Sequence, residues 1–134
     1  MKKQLAAVAA IGALALTGCS QIAQLKPVAG DAVTAVRIAT IDVVENAGIS
    51  VRTTPVCTFT DTDTTCKGVT ADGKPILSEA TKVAKTAIPP DYQSGTLDDT
   101  APDDVIIMTV KVGDVELYRG LATTVLDKNG RSAQ

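Results

Sequence analysis

Two cysteines constrain this chain more tightly than any other feature. Cys57 and Cys66 stand symmetrically about Asp61-Thr62, between the flanking runs Val56 to Thr60 and Thr64 to Thr70. Thr-rich, β-branched runs favour strands, and the acidic Asp61-Thr62-Asp63 centre favours a turn. A hairpin folded about Asp61-Thr62 puts Cys57 directly opposite Cys66, where the two Cβ atoms approach to bridging distance. An unstrained disulfide closing so short a loop stabilises by about 2–3 kcal/mol. Zinc is the competing use of paired cysteines. It fails on ligands, because two Cys without His cannot close a tetrahedral site and the chain has no His.

The remaining pattern extends this hairpin into a sheet. Ile49, Val51 and Thr53 alternate up to Pro55, as a half-buried strand does. Ala71-Asp72-Gly73-Lys74 is a second turn with the Asp-Gly signature. Val105 to Val112 is the strongest strand, with Ile106, Met108, Val110 and Val112 on one face. The two-residue Gly113-Asp114 link then returns the chain through Val115 to Arg119. In that register Val110 faces Leu117, and Lys111 faces Glu116 as a favourable charge pair.

Helical spacing appears earlier in the chain, at Val33, Val36, Ala39, Val43 and Ala47, with Ile38, Ile41 and Val44 widening the face. Asp31 suits the N-cap and Gly48 the C′ position, giving a helix over Ala32 to Ala47. Its β-branched content lowers its propensity, so it depends on packing against a sheet. Pro75 to Ile88 reads two ways. Ile76, Ala80, Val83, Ala84 and Ala87 fit a helix capped by Ser78, whereas Pro75 to Ser78 reads as a strand leaving the turn. A short strand running into a helix is expected. Pro89 to Asp104 is a long polar loop, and loops of this length in small domains carry function or move. Leu121 to Asp127 reads as a short closing helix, and Asn129-Gly130 ends the ordered part. The expected fold is α+β, with one long N-terminal helix packed on an antiparallel sheet of four to five strands and room for a second short helix.

Composition narrows the chemistry. The 134 residues suffice for one small domain. Without His, the commonest general base and transition-metal ligand is missing. The net charge is −2, which gives no electrostatic grip on nucleic acid. Aromatic residues are limited to Phe59, Tyr92 and Tyr118, too few for a base- or sugar-stacking platform. Each of the three is a possible contact residue, against a plain role in the sheet. Ser78 and Lys82 lack both the Ser-x-x-Lys spacing and an oxyanion motif, and no glycine-rich phosphate loop is present. Asp98, Asp99, Asp103 and Asp104 are weak candidates for a hard cation, against the reading of a solvated acidic loop. Asp61-Thr62-Asp63 lacks the Gly and Glu of a calcium loop. No enzyme activity and no cofactor are expected.

The N-terminus carries an address. Lys2 and Lys3 precede an apolar run from Leu5 to Leu16, long enough for a signal peptide and too short to span a bilayer. It ends in Leu16-Thr17-Gly18-Cys19, which resembles the lipobox of bacterial lipoproteins. The resemblance implies a diacylglycerol thioether on Cys19, palmitate among its acyl chains, and a durable membrane anchor. It accounts for the odd cysteine and leaves Cys57 and Cys66 to pair. Ser20 after the Cys leans towards the outer membrane by resemblance to Gram-negative lipoproteins; the outer side of the cytoplasmic membrane is the other location. The organisation that follows is a signal peptide over 1–18, a tether over 19–30, one α+β domain over 31–130 and a disordered tail over 131–134.

The stretch Cys57 to Ile76 has the form Cys-x8-Cys-x-Gly-x-Thr-x-Asp-Gly-x-Pro-Ile, followed later by Val112-Gly113-Asp114 and Tyr118-x-Gly120. It resembles small secreted or lipid-anchored actinobacterial domains in which a helix precedes a disulfide-pinned β-meander. These motifs are turns and a disulfide, and they bring no activity with them. The function expected is a lipid-anchored, non-catalytic binding or accessory domain of the cell envelope, with an envelope protein as partner. A carrier of an apolar ligand such as lipid is one alternative, and a phage-derived superinfection-exclusion lipoprotein another.

Overall fold

The first helix exists because one of its faces is apolar. The computed structural model describes residues 30–92, 97 and 99–131, and helix α1 spans Gly30–Asn46. Val36, Ala39, Val43 and Val44 recur at helical spacing and are all buried. Thr40 is buried among them, and its hydroxyl donates to the Val36 carbonyl at 2.7 Å, which satisfies an otherwise costly polar group. The helix begins one residue before Asp31, so Asp31 lies inside its first turn. At the other end Gly48 adopts φ +76°. The Gly48 amide donates to Glu45 and the Ile49 amide to Val44, which is the Schellman arrangement that a C′ glycine permits.

Five strands follow: β1 Val51–Phe59, β2 Asp63–Thr70, β3 Pro75–Ala84, β4 Asp104–Val112 and β5 Val115–Leu121, then helix α2 Ala122–Lys128. They form one antiparallel meander in the order β1-β2-β3-β4-β5. The fold is α+β, with both helices on one face of the sheet. On that face Cys66, Ile76, Ala80, Met108, Val110 and Val112 pack with the α1 stripe and with Ala122 and Val125 of α2. The alternate residues of β4 face the other way. Val105 and Ile107, with Leu121, form a smaller cluster there, covered by Ile88, Tyr92 and Leu97.

The segment after the second turn departs from expectation. Pro75–Ala84 is a single strand, and only a short 3-10 turn, Lys85–Ala87, follows it. Its apolar residues fit helical spacing, but the central position in the sheet decides the outcome. β3 pairs on one side with β2, Cys66 opposite Ser78, and on the other with β4, from Ile76↔Val112 to Ala84↔Asp104. Two ladders satisfy its backbone along its length, and tertiary pairing overrides local preference.

The β4–β5 register also differs by one residue. Lys111 faces Glu116 as expected, but Val110 faces Tyr118, because a β-bulge interrupts the ladder after Val110. Leu117 is the extra residue. Arg131, expected to begin a disordered tail, is held in place. Its amide donates to the Leu126 carbonyl at 2.7 Å, and its Nε lies 2.9 Å from Oδ2 of the buried Asp42. That contact is one of charge, since no donor is aligned on this oxygen.

Two positions test the packing. At Gly68 a Cβ would meet the Thr53 carbonyl oxygen at 2.7 Å and the Pro55 ring at 3.1 Å. Here β1 bends through two irregularities in register, and the bend presses its backbone onto the glycine. Gly68→Ala is expected to lower stability by about 1–3 kcal/mol, read as a fall in unfolding midpoint. Ser78 is fully buried and its hydroxyl has no hydrogen-bond partner among the described residues. Ser78→Ala is expected to raise stability by about 1 kcal/mol; a lower midpoint would contradict this account of the core.

Candidate functional site

Among the described residues, open depressions and a clasp of charged side chains stand out. Their placement follows from the meander. The first depression, about 340 Å³, lies where α1 begins and includes Ala32, Val33, Phe59, Asp61, Lys82 and Ile106. Phe59 is 56% exposed there, because β1 ends beyond the reach of the helix-side core. The second, about 360 Å³, opens between the C-terminal turns of both helices and β5, along Val43, Ala47, Leu117, Tyr118, Val125 and Lys128. The third, about 350 Å³, is polar and lies on the outer sheet face along Asp63, Thr65, Glu79, Thr81, Tyr92 and Thr109. Within it the Thr81 hydroxyl donates to Asp63 at 2.9 Å.

The residues singled out by sequence do not converge on one point. Cys57 and Cys66 are bonded, with Cα atoms 4.0 Å apart and directly opposite in register. Tyr118 is half-buried against the helix-side core, and its hydroxyl donates to the Leu121 carbonyl at 2.7 Å. Tyr92 sits on the opposite face. Asp103 lies 3.8 Å from Lys85 Nζ and Asp104 3.3 Å from Lys82 Nζ, so these carboxylates face ammonium groups. Asp99 is exposed. Among the described residues no three His, Cys, Asp or Glu side chains gather as metal ligands. Cys19 and Asp98 lie outside the described residues.

Arg119 is the organising charge that sequence reasoning missed. Its Nε and Nη2 donate to the two carboxylate oxygens of Glu116 at 2.9 and 2.8 Å, and its Nη1 donates to Asp91 at 3.0 Å. Its guanidinium carbon lies 5.1 Å from the centre of the Tyr92 ring, within cation–π range. The planar fork explains why an Arg is used: it engages a carboxylate with two bonds while its face stays available to a ring. Hydrogen bonds from Arg119 hold the Glu116 carboxyl below its ordinary value near 4.5, and the same bonds raise the guanidinium. A lowered carboxylate stabilises the fold above its unfolded pKa and loses that contribution as pH falls through the folded one. The pair is therefore intact at neutral pH and releases only in acid. Residues three apart on a regular strand face opposite sides. Only the bulge at Leu117 brings Glu116 and Arg119 to one face, which is why their spacing gave no signal.

The clasp ties the loop after β3 to the outer face of the sheet. Asp91 and Tyr92 belong to the short 3-10 turn Pro90–Tyr92, and Lys85 adds a bond to the Ala101 carbonyl at 3.1 Å. Part of the loop expected to carry function or move thus covers apolar surface. No family model, curated protein or solved structure matches the chain.

Arg119→Ala is expected to speed amide exchange at Asp91 and Tyr92 while leaving β3 and β4 protected, with Arg119→Lys intermediate because it keeps the charge and loses the fork. Unchanged exchange at these two residues would show that apolar packing alone holds the loop.

Proposed function

We propose that the chain is a lipid-anchored protein of a bacterial cell envelope whose small α+β domain acts by binding and performs no catalysis. The anchor is a diacylglycerol thioether on Cys19, and the domain sits on the outer side of the cytoplasmic membrane or at the outer membrane. The observation that carries this reading is the Cys57–Cys66 disulfide. Structural disulfides persist in oxidising compartments, which supports export of the domain, and export is what the segment from Lys2 to Cys19 supplies. The absence of His from the sequence and the pairing of Arg119, Lys82 and Lys85 with carboxylates support binding over catalysis.

A carrier of apolar ligands has less support. Val36, Ala39, Val44 and Val110 are fully buried, and Ile76 and Met108 nearly so. The space between α1 and the sheet is filled by these side chains. An exclusion lipoprotein is a special case of the binding reading and differs only in its partner.

The test follows the acyl chain. Cells expressing the full chain are grown with labelled palmitate and fractionated. The wild type is expected to carry label and to sediment with membranes, and Cys19→Ala to carry none and to leave the membrane fraction. An unlabelled wild type, or a Cys19→Ala chain that still takes up label, would overturn the anchor.

A further inference from the structure

The two edges of the sheet are guarded unequally. β1 carries Pro55, which cannot donate to a ladder, and two irregularities in register. These are the devices by which edge strands avoid pairing with other chains. β5 has β4 beside it on one side and no strand on the other among the described residues. It lacks proline, and its one irregularity is the bulge at Leu117. Val115, at its start, is 61% exposed. The groove along Leu117, Tyr118, Val43 and Val125 opens beside this strand.

The order of faces along β5 is the informative feature. Val115 pairs with Val112, and Gly120 with Met108, both on the helix side. Leu117 and Tyr118 also pack towards the helices. Glu116 pairs with Lys111, and Arg119 with Thr109, on the outer side. From Val115 to Gly120 the order is therefore in, out, in, in, out, in, which reads the same in both directions. Residues directly opposite in an antiparallel pair share a face. Two copies of β5 related by a two-fold axis between Leu117 and Tyr118 meet this rule at every position. A shift of one residue either way sets an inward side chain against an outward one.

We propose that β5 is a self-association edge, at which a second copy of this chain pairs antiparallel to extend the sheet across a two-fold axis. Leu117 of each copy lies opposite Tyr118 of the other, and Glu116 opposite Arg119. Each Glu116 carboxylate then stands between two guanidinium groups, its own and that of the other copy. The bulges face each other at the axis, and the apolar grooves of the two copies adjoin on the helix side. Such an interface is isologous and closes at two copies. It depends on the sheet alone and stands or falls independently of the lipid on Cys19.

The test is sedimentation of the full chain in a neutral detergent over about a hundredfold range of concentration. The wild type is expected to pass from monomer to dimer. Glu116→Arg sets arginines opposite each other and is expected to weaken association by about tenfold or more. The double exchange Glu116→Arg with Arg119→Glu restores opposite charges and is expected to recover it. Amide exchange supplies the second reading: on dilution, β5 should lose protection while β3 and β4 keep theirs. A wild type that stays monomeric, a dimer indifferent to Glu116→Arg, or β5 protection independent of concentration would each overturn the proposal.

Discussion

The ladder between β3 and β4 is the constraint on which the other contacts depend. It runs in unbroken register from Ile76↔Val112 to Ala84↔Asp104. A slip of one residue would turn one strand's core residues, Ile76 and Ala80 of β3 or Met108 and Val110 of β4, from the helix side to the outer side. α1 would then lose the surface it packs on. Its own sequence gives it little independent stability, since Val, Ile and Thr are frequent in it and short helices are marginal in water. The second face follows from the same register. Val83, Val105 and Ile107 point away from the helices and need cover of their own, which the loop after β3 provides with Ile88, Tyr92 and Leu97.

Departures from regularity matter as much as the ladder. The bulge at Leu117 turns Glu116 and Arg119 to one face and makes the bidentate pair possible. Arg119 then has its Nη1 available to donate to Asp91 and a guanidinium face for the Tyr92 ring. One inserted residue thus fixes the loop to the sheet. The irregularities in β1 act in the opposite sense. They bring Pro55 and the Thr53 carbonyl against Gly68, and the glycine is needed because another backbone occupies the place of its side chain.

Legibility followed the range of the interactions. The disulfide register, the glycine-capped end of α1 and the Gly113 turn are local, and each was readable because a few neighbouring residues determine it. The helix-side face of β4 was readable for the same reason, since strict alternation leaves little choice. β3 was misread because its Ala and Val fit either period, and its strand state comes from partners on both sides. The β4–β5 register failed past Lys111 because nothing in Glu116-Leu117-Tyr118 announces a bulge. The same bulge hid Arg119. Each of the possible contact residues lines an open depression, but Tyr92 and Tyr118 are also engaged within the fold. Asp103 and Asp104 were read with Asp98 and Asp99 as one acidic cluster, but the lysines that face them come from β3 and the turn after it, at a distance in the chain that spacing cannot show.

A domain arranged in this way has modest means of recognition. Among the described residues the space between α1 and the sheet is packed with side chains, the depressions are open, and many surface charges are already paired. Among the described residues the surfaces that stand out are small: an edge strand, an exposed Phe59, and shallow grooves of a few hundred Å³. Interfaces of limited area are weak in free solution. A membrane anchor alters that balance without adding a contact, because copies and partners held at one surface meet at a raised effective concentration. On the anchored reading, the lipid and the small domain complement each other physically. The first confines the chain to a surface, and confinement adds to whatever association an edge strand supports by itself.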